Sequence, residues 1–227
     1  MKTIHKFLTV FLISLIGLNA HAQDKKVEFG VAAGYGYTMP RLKDSRSIKV
    51  PVINSLNFNG FHVGPMLKLN INENFAIQTG ALYNRFGGVS ITTAQKTLKD
   101  KFGTWKQESN SLSALDIPFR VRYSANLADE LSFFVFGGPN VNYAISKINS
   151  QESYVDKKLT TKQTGENIYK SGTDYNALDL QLGVGLGIQW TKISLSGSYD
   201  WGVLNRTNFE NASLRSNDIK LSLSYTF

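Results

Sequence analysis

Beyond residue 22 the sequence contains one histidine, His62, no cysteine, and acidic residues scattered along the chain. Histidine is the side chain best suited to moving protons near neutral pH. His62, with Asp44 or Asp174 to orient it and Ser45 or Ser171 to supply a hydroxyl, is therefore the one constellation that would support acyl transfer or hydrolysis. No nucleophile motif flanks either serine, and a lone polar-face histidine more often belongs to a satisfied polar core. One histidine without cysteine offers no zinc-ligand spacing, and the acids do not follow a calcium-loop pattern. No catalytic residue, metal ligand or cofactor site is expected. Gly183, Gly185 and Gly187 superficially resemble a phosphate loop, but they recur at strand period with no helix after them, so they mark places where bulk is excluded. The triplets Asn205-Arg206-Thr207 and Asn211-Ala212-Ser213 match a glycosylation signal by coincidence.

The element that positions these residues is clearest between Leu178 and Trp201. Leu178, Leu180, Leu182, Val184, Leu186, Ile188 and Trp190 occupy every second position, and Ile193, Leu195, Gly197, Tyr199 and Trp201 repeat the pattern after the two-residue connection Thr191-Lys192. Successive strand side chains point to opposite faces, so this is a tight antiparallel hairpin with one apolar and one polar, glycine-rich face. Similar alternation over residues 27–37, 61–71, 75–83, 115–123, 131–143 and 219–227 brings the number of strands to eight. Phe134 and Phe136 break the pattern by falling on the polar side of the fifth.

The connections alternate as well. Short links at 72–74, 124–130 and 191–192 separate long ones at 38–60, 87–111, 147–174 and 202–216. Aromatics collect at the two ends of the apolar faces: Phe29, Phe75, Tyr123, Phe133, Trp190, Tyr225 and Phe227 at one, Tyr35, Tyr37, Tyr83, Tyr143, Tyr199 and Trp201 at the other. Short turns at one end, long loops at the other and two aromatic girdles predict an all-β, eight-stranded, antiparallel up-and-down transmembrane barrel, with periplasmic termini and extracellular long loops.

The start of the chain agrees with export. Lys2 and Lys6 precede the apolar run Phe7 to Leu18, and Ala20-His21-Ala22 forms a small-x-small site. At ~1.5 Å per residue those twelve apolar residues span about 18 Å, too little for a ~30 Å hydrocarbon layer. Residues 1–22 are therefore expected to be a cleaved signal peptide and 23–227 the barrel domain. The formal charge of +8 falls to +6 without Lys2 and Lys6. The four long connections hold 15 Lys and Arg against 8 Asp and Glu, or +7, and the rest of the mature chain sums to −1. Such loops suit the anionic lipid and lipopolysaccharide of an outer surface; nucleic acid is not an expected partner.

On the polar faces stand four acids, Glu28, Asp116, Asp179 and Asp200, and four bases, Lys68, Arg120, Arg122 and Lys220. An eight-stranded barrel is just wide enough for side chains to fill it, so these residues are expected to point inward and pair as a lumen charge network.

The stretches Leu115-Asp116-Ile117-Pro118-Phe119-Arg120-Val121-Arg122-Tyr123, Phe136-Gly137-Gly138-Pro139 and Tyr225-Thr226-Phe227 resemble the PorT-type outer-membrane β-barrel family of Bacteroidetes, over residues 24–227. The resemblance implies an eight-stranded, OmpX/OmpA-like barrel whose Tyr225 and Phe227 form a C-terminal assembly signal, and for some members a link to protein secretion. The expected function is structural or exerted through a secretion or surface protein partner. A lipid-modifying enzyme using His62 and a narrow passive pore are the alternatives.

Overall fold

The computed structural model describes residues 26–44, 57–93, 104–155, 158–165, 167–169, 175–210 and 212–227. The expected signal segment lies outside them, as do Ser45, Ser171, Asp174 and the side chain of Asp44. Ten strands form one antiparallel sheet. They are β1 (Val27–Asp44), β2 (Phe58–Asn70), β3 (Phe75–Gly80), β4 (Leu82–Thr93), β5 (Thr104–Ala128), β6 (Leu131–Val155), β7 (Lys158–Thr164), β8 (Leu178–Trp190), β9 (Ile193–Gly202) and β10 (Ala212–Thr226).

Eight of the positions close into a ring. β1 pairs β2 on one side and β10 on the other, the latter from Gly30↔Thr226 to Asp44↔Ala212, so the sheet has no edge at the level of the wall. Closure is what a hydrocarbon environment requires, because an open edge would leave backbone N–H and C=O groups unsatisfied. β3 and β4 are one wall strand interrupted at Ala81. The interruption has a local cause: Gly80 and Ala81 face Pro65 on β2 and Pro118 on β5, and neither proline has an N–H to donate. Ala81 N still donates to Pro65 O at 3.0 Å, which keeps the strand in line. β7 lies outside the ring and, among the described residues, pairs only with the far end of β6.

The faces sort as the alternation predicts. Leu182 and Leu221 are 51% and 54% exposed, whereas Arg120 and Asp179 are 5% and 0% exposed. A water-soluble sandwich or lipocalin-like barrel would have the opposite arrangement. Exposed aromatics mark both ends of the wall, with Phe75, Tyr123, Trp190, Tyr225 and Phe227 at one and Tyr35, Tyr83, Tyr143 and Trp201 at the other. Tyr225 and Phe227 pack edge to face at 5.7 Å, and Phe227 N donates to Phe29 O across the closing seam.

The long connections differ from expectation. β1 continues to Asp44, β4 and β5 run to Thr93 and from Thr104, β6 extends to Val155, β10 begins at Ala212, and β7 lies wholly within 147–174. Above the girdle both faces of a strand meet polar surroundings, so the apolar alternation that identifies a wall strand disappears while backbone pairing continues.

Candidate functional site

The lumen is built from inward positions on all eight wall strands. At its centre Arg120 donates from Nη2 to Asp200 Oδ1 and from Nη1 to the carbonyl of Gly138, with Gly183 O at 3.3 Å. Gly138 has φ +149°, and a Cβ there would lie 2.2 Å from Phe119 O, so glycine is needed to aim this carbonyl inward. Lys220 ion-pairs with Asp116 and has Asp218 and Asp200 at 3.8 and 3.9 Å. Asn142 Nδ2 donates to the other oxygen of Asp116 at 2.6 Å. β5 is thus tied across the lumen by ionic bonds to the neighbouring strands β9 and β10.

Above this level Asn140 donates to Gln181 at 2.8 Å and Gln181 to Asp218 at 2.9 Å. His62, 1% exposed, has Nε2 2.8 Å from Ser222 Oγ. Its ring is enclosed beside Gly34, where a Cβ would come within 2.8 Å of it. Below the centre Lys68 pairs with Glu28 at 2.8 Å, and Asn70 donates to Glu28 at 2.6 Å. The lumen glycines have matching occupants: a Cβ on Gly183 would collide with Asp200, one on Gly185 with Phe136, and one on Gly187 with Phe134. Phe136 faces Gly185 and Phe134 faces Gly187 in register, so each missing side chain makes room for an inward aromatic ring.

Of the eight expected charges, six stand in ion pairs. Arg122 and Asp179 do not. Arg122 instead stacks its guanidinium 3.6 Å over Phe134 and donates to Ser124 Oγ at 3.0 Å and Gln189 Oε1 at 2.5 Å. Among the described residues no cation lies within ion-pair distance of Asp179, although the field of Arg206 reaches it. The reason is level: the strands are staggered around the ring, and equal numbers of acids and bases do not place each acid beside a base. Asp218 and Arg206, both buried, also belong to the lumen and its mouth, although their positions fall at or beyond the expected strand limits.

The mouth is capped. Phe58, Phe86, Leu112 and Ala144 form a buried apolar cluster against which Tyr169 and Ala177 pack. Arg206 donates to Tyr169 Oη at 2.8 Å. The Lys147 ammonium lies 5.3 Å from the Phe58 ring centroid, a cation–π contact. Burial pushes this lysine down to about 8, and Arg206 adds like-charge repulsion. Its folded pKa is below the unfolded one, so the unfolded chain binds more protons once the pH exceeds about 8, and stability should rise with pH from there towards the unfolded value. The gain is at most about 1.4 kcal/mol per pH unit. Urea unfolding at pH 7 and 9.5 should show it, and Lys147→Met should remove it.

A family model described as the outer membrane protein beta-barrel domain matches residues 21–208. Among solved structures the chain is similar to Neisserial surface protein A (NspA), with 13% identity over 88% of this chain and 97% of that one and a TM-score of 0.40. It is also similar to Ail, the attachment invasion locus protein of Yersinia pestis, crystallised with the heparin analogue sucrose octasulfate. There the identity is 9% over 89% of this chain and 99% of that one, with a TM-score of 0.34. Comparison with curated proteins finds no match.

Proposed function

The chain belongs to the outer membrane protein beta-barrel domain family, and from that premise we propose that it serves as a non-catalytic, PorT-type outer-membrane barrel of the Bacteroidetes, acting structurally or through a protein partner. Residues 1–22 direct export and are removed, and residues 23–227 fold with termini in the periplasm and the long basic connections outside the cell. Those connections face anionic lipid and lipopolysaccharide. A secretion or surface protein is the partner the reading assigns, which makes the barrel an accessory to protein secretion.

The observation that carries this reading is the filled lumen. Arg120–Asp200 and Lys220–Asp116 cross the interior. The cavity they line holds about 70 Å³, room for only a couple of water molecules. A passive pore needs a continuous aqueous path, which these side chains interrupt, so activity falls to the surfaces. His62 gives no support to a lipid-modifying enzyme, since its ring is enclosed among lumen side chains instead of facing a substrate. Formaldehyde cross-linking of intact cells followed by purification of the tagged barrel should recover the same partner in replicate experiments. Purified protein in planar bilayers should give no steady conductance. Recurrent channel openings would refute the closed-barrel reading, and the absence of any reproducible partner would refute the accessory role.

A further inference from the structure

Below the lumen charge pairs, the barrel end formed by the short turns opens into a bowl of about 510 Å³. Its lining contains Lys26, Lys68 and Arg122 against Glu28 and Glu73, a formal surplus of one positive charge. Arg122 is the source of the imbalance. It is 3% exposed, and among the described residues no carboxylate lies within ion-pair distance of it. Glu28, an acid of the same lining, is already engaged by Lys68 and Asn70. The guanidinium is nevertheless held firmly by Phe134 beneath its plane, by Ser124 on Nε and by Gln189 on Nη2. These neutral partners fix its orientation without cancelling its charge. They leave the Nη1 edge, where none of the described residues accepts a hydrogen bond.

We infer that this bowl is a binding site for a single carboxylate carried on an extended peptide segment, with Arg122 as its anchor. A pre-oriented guanidinium whose Nη1 keeps its donors offers a carboxylate oxygen a charge-assisted hydrogen bond, roughly twice as strong as a neutral one. One negative charge balances the lining, whereas a phosphate monoester dianion would leave it negative. The rim around it is polar and held in place by its own hydrogen bonds: Asn70 donates to Glu28, Asn74 to the carbonyl of Ser124, and Asn72 Oδ1 accepts from the backbone N–H groups of Asn74 and Phe75. The inference rests on the orientation proposed above in one respect: with the termini in the periplasm, the bowl opens there, and the peptide belongs to a periplasmic or secreted chain.

The test uses the full mature chain, folded in detergent micelles, and calorimetric titration with acetyl-Ala-Ala-Ala as the free acid, the same peptide as its C-terminal amide, and inorganic phosphate. The free acid should bind at least tenfold more tightly than the amide and more tightly than phosphate. Arg122→Gln should weaken it at least tenfold. Because that variant also removes the stacking on Phe134, Gln189→Glu serves as a second probe: it keeps the arginine but supplies an internal carboxylate at Nη2, and it should cause the same loss. Equal binding of acid and amide, preference for phosphate, absence of binding, or full affinity in a folded Gln189→Glu variant would each overturn the proposal. Orientation is read separately. Glu73→Cys should be protected from an impermeant maleimide in intact cells, and labelling there would overturn the periplasmic source of the peptide while calorimetry still decides whether the carboxylate site exists.

Discussion

Asp200→Ala should lower the unfolding free energy of the barrel by about 3–5 kcal/mol, the range for removing one partner of a buried ion pair. The expected loss comes from what remains. Arg120 is 5% exposed, and without Asp200 its hydrogen-bond partners are the carbonyls of Gly138 and Gly183, neither of which carries a compensating charge. Lys220 loses one of its three neighbouring carboxylates at the same time. The double variant Arg120→Met, Asp200→Ala should recover most of the stability, because it removes the stranded charge and leaves an apolar side chain in the space beside Gly183. Reversible urea unfolding in phospholipid vesicles, followed by tryptophan emission, measures both. A loss below about 1 kcal/mol in the single variant would mean that water already shields Arg120 and that the pair does not brace the lumen. The double variant separates this from simple packing damage, which would make the two substitutions add.

How much of this was legible in the sequence depends on what lies on either side of each strand. Between Leu178 and Trp201 lipid lies on one face and the lumen on the other, so the alternation of leucine with small and polar residues revealed strand, turn and face together. The elements β8 (Leu178–Trp190) and β9 (Ile193–Gly202) coincide with that reading. Above the girdle the contrast is lost. Lys147, Arg206 and the whole of β7 therefore read as loop, although Lys147 and Arg206 sit against the capping cluster. Gly183, Gly185 and Gly187 were legible as places without bulk, and Phe134 and Phe136 as aromatics on the polar face. What joins the two observations is the β6–β8 register, which pairs Phe136 with Gly185 and Phe134 with Gly187. Register also decides the charge partners. The sequence balances four acids with four bases, but only the stagger of the closed ring brings Lys220 to Asp116, 104 residues away, and leaves Arg122 with Gln189. Composition constrains the total charge of a lumen, and shear assigns the pairs.

Leu221→Arg should cost about 2–4 kcal/mol, the depth-dependent penalty for a basic side chain at the middle of the lipid face of a barrel. Leu221 pairs with Tyr35 on β1 and Gly197 on β9 and has exposed Ile219 and Leu223 on either side of it along the same face of β10, so an arginine there is surrounded by lipid-facing side chains. The barrel cannot evade the charge by slipping. A shift of one residue would turn Leu221 inward and carry Lys220 out of its contacts with Asp116, Asp200 and Asp218, exchanging one misplaced charge for several. The informative control is Leu159→Arg on β7, the strand outside the ring. Leu159 is 50% exposed and Leu221 54%, so by area the two leucines are equivalent. Their solvents differ. Leu159 meets water, where a surface substitution usually changes stability by no more than about 0.5 kcal/mol. Leu221 meets hydrocarbon, where the guanidinium loses its hydration. Unfolding both variants in the same vesicles should give a large loss for Leu221→Arg and almost none for Leu159→Arg. Equal, small losses would mean that water reaches the face carrying Leu221, and that the apolar belt around the wall does not lie in a membrane.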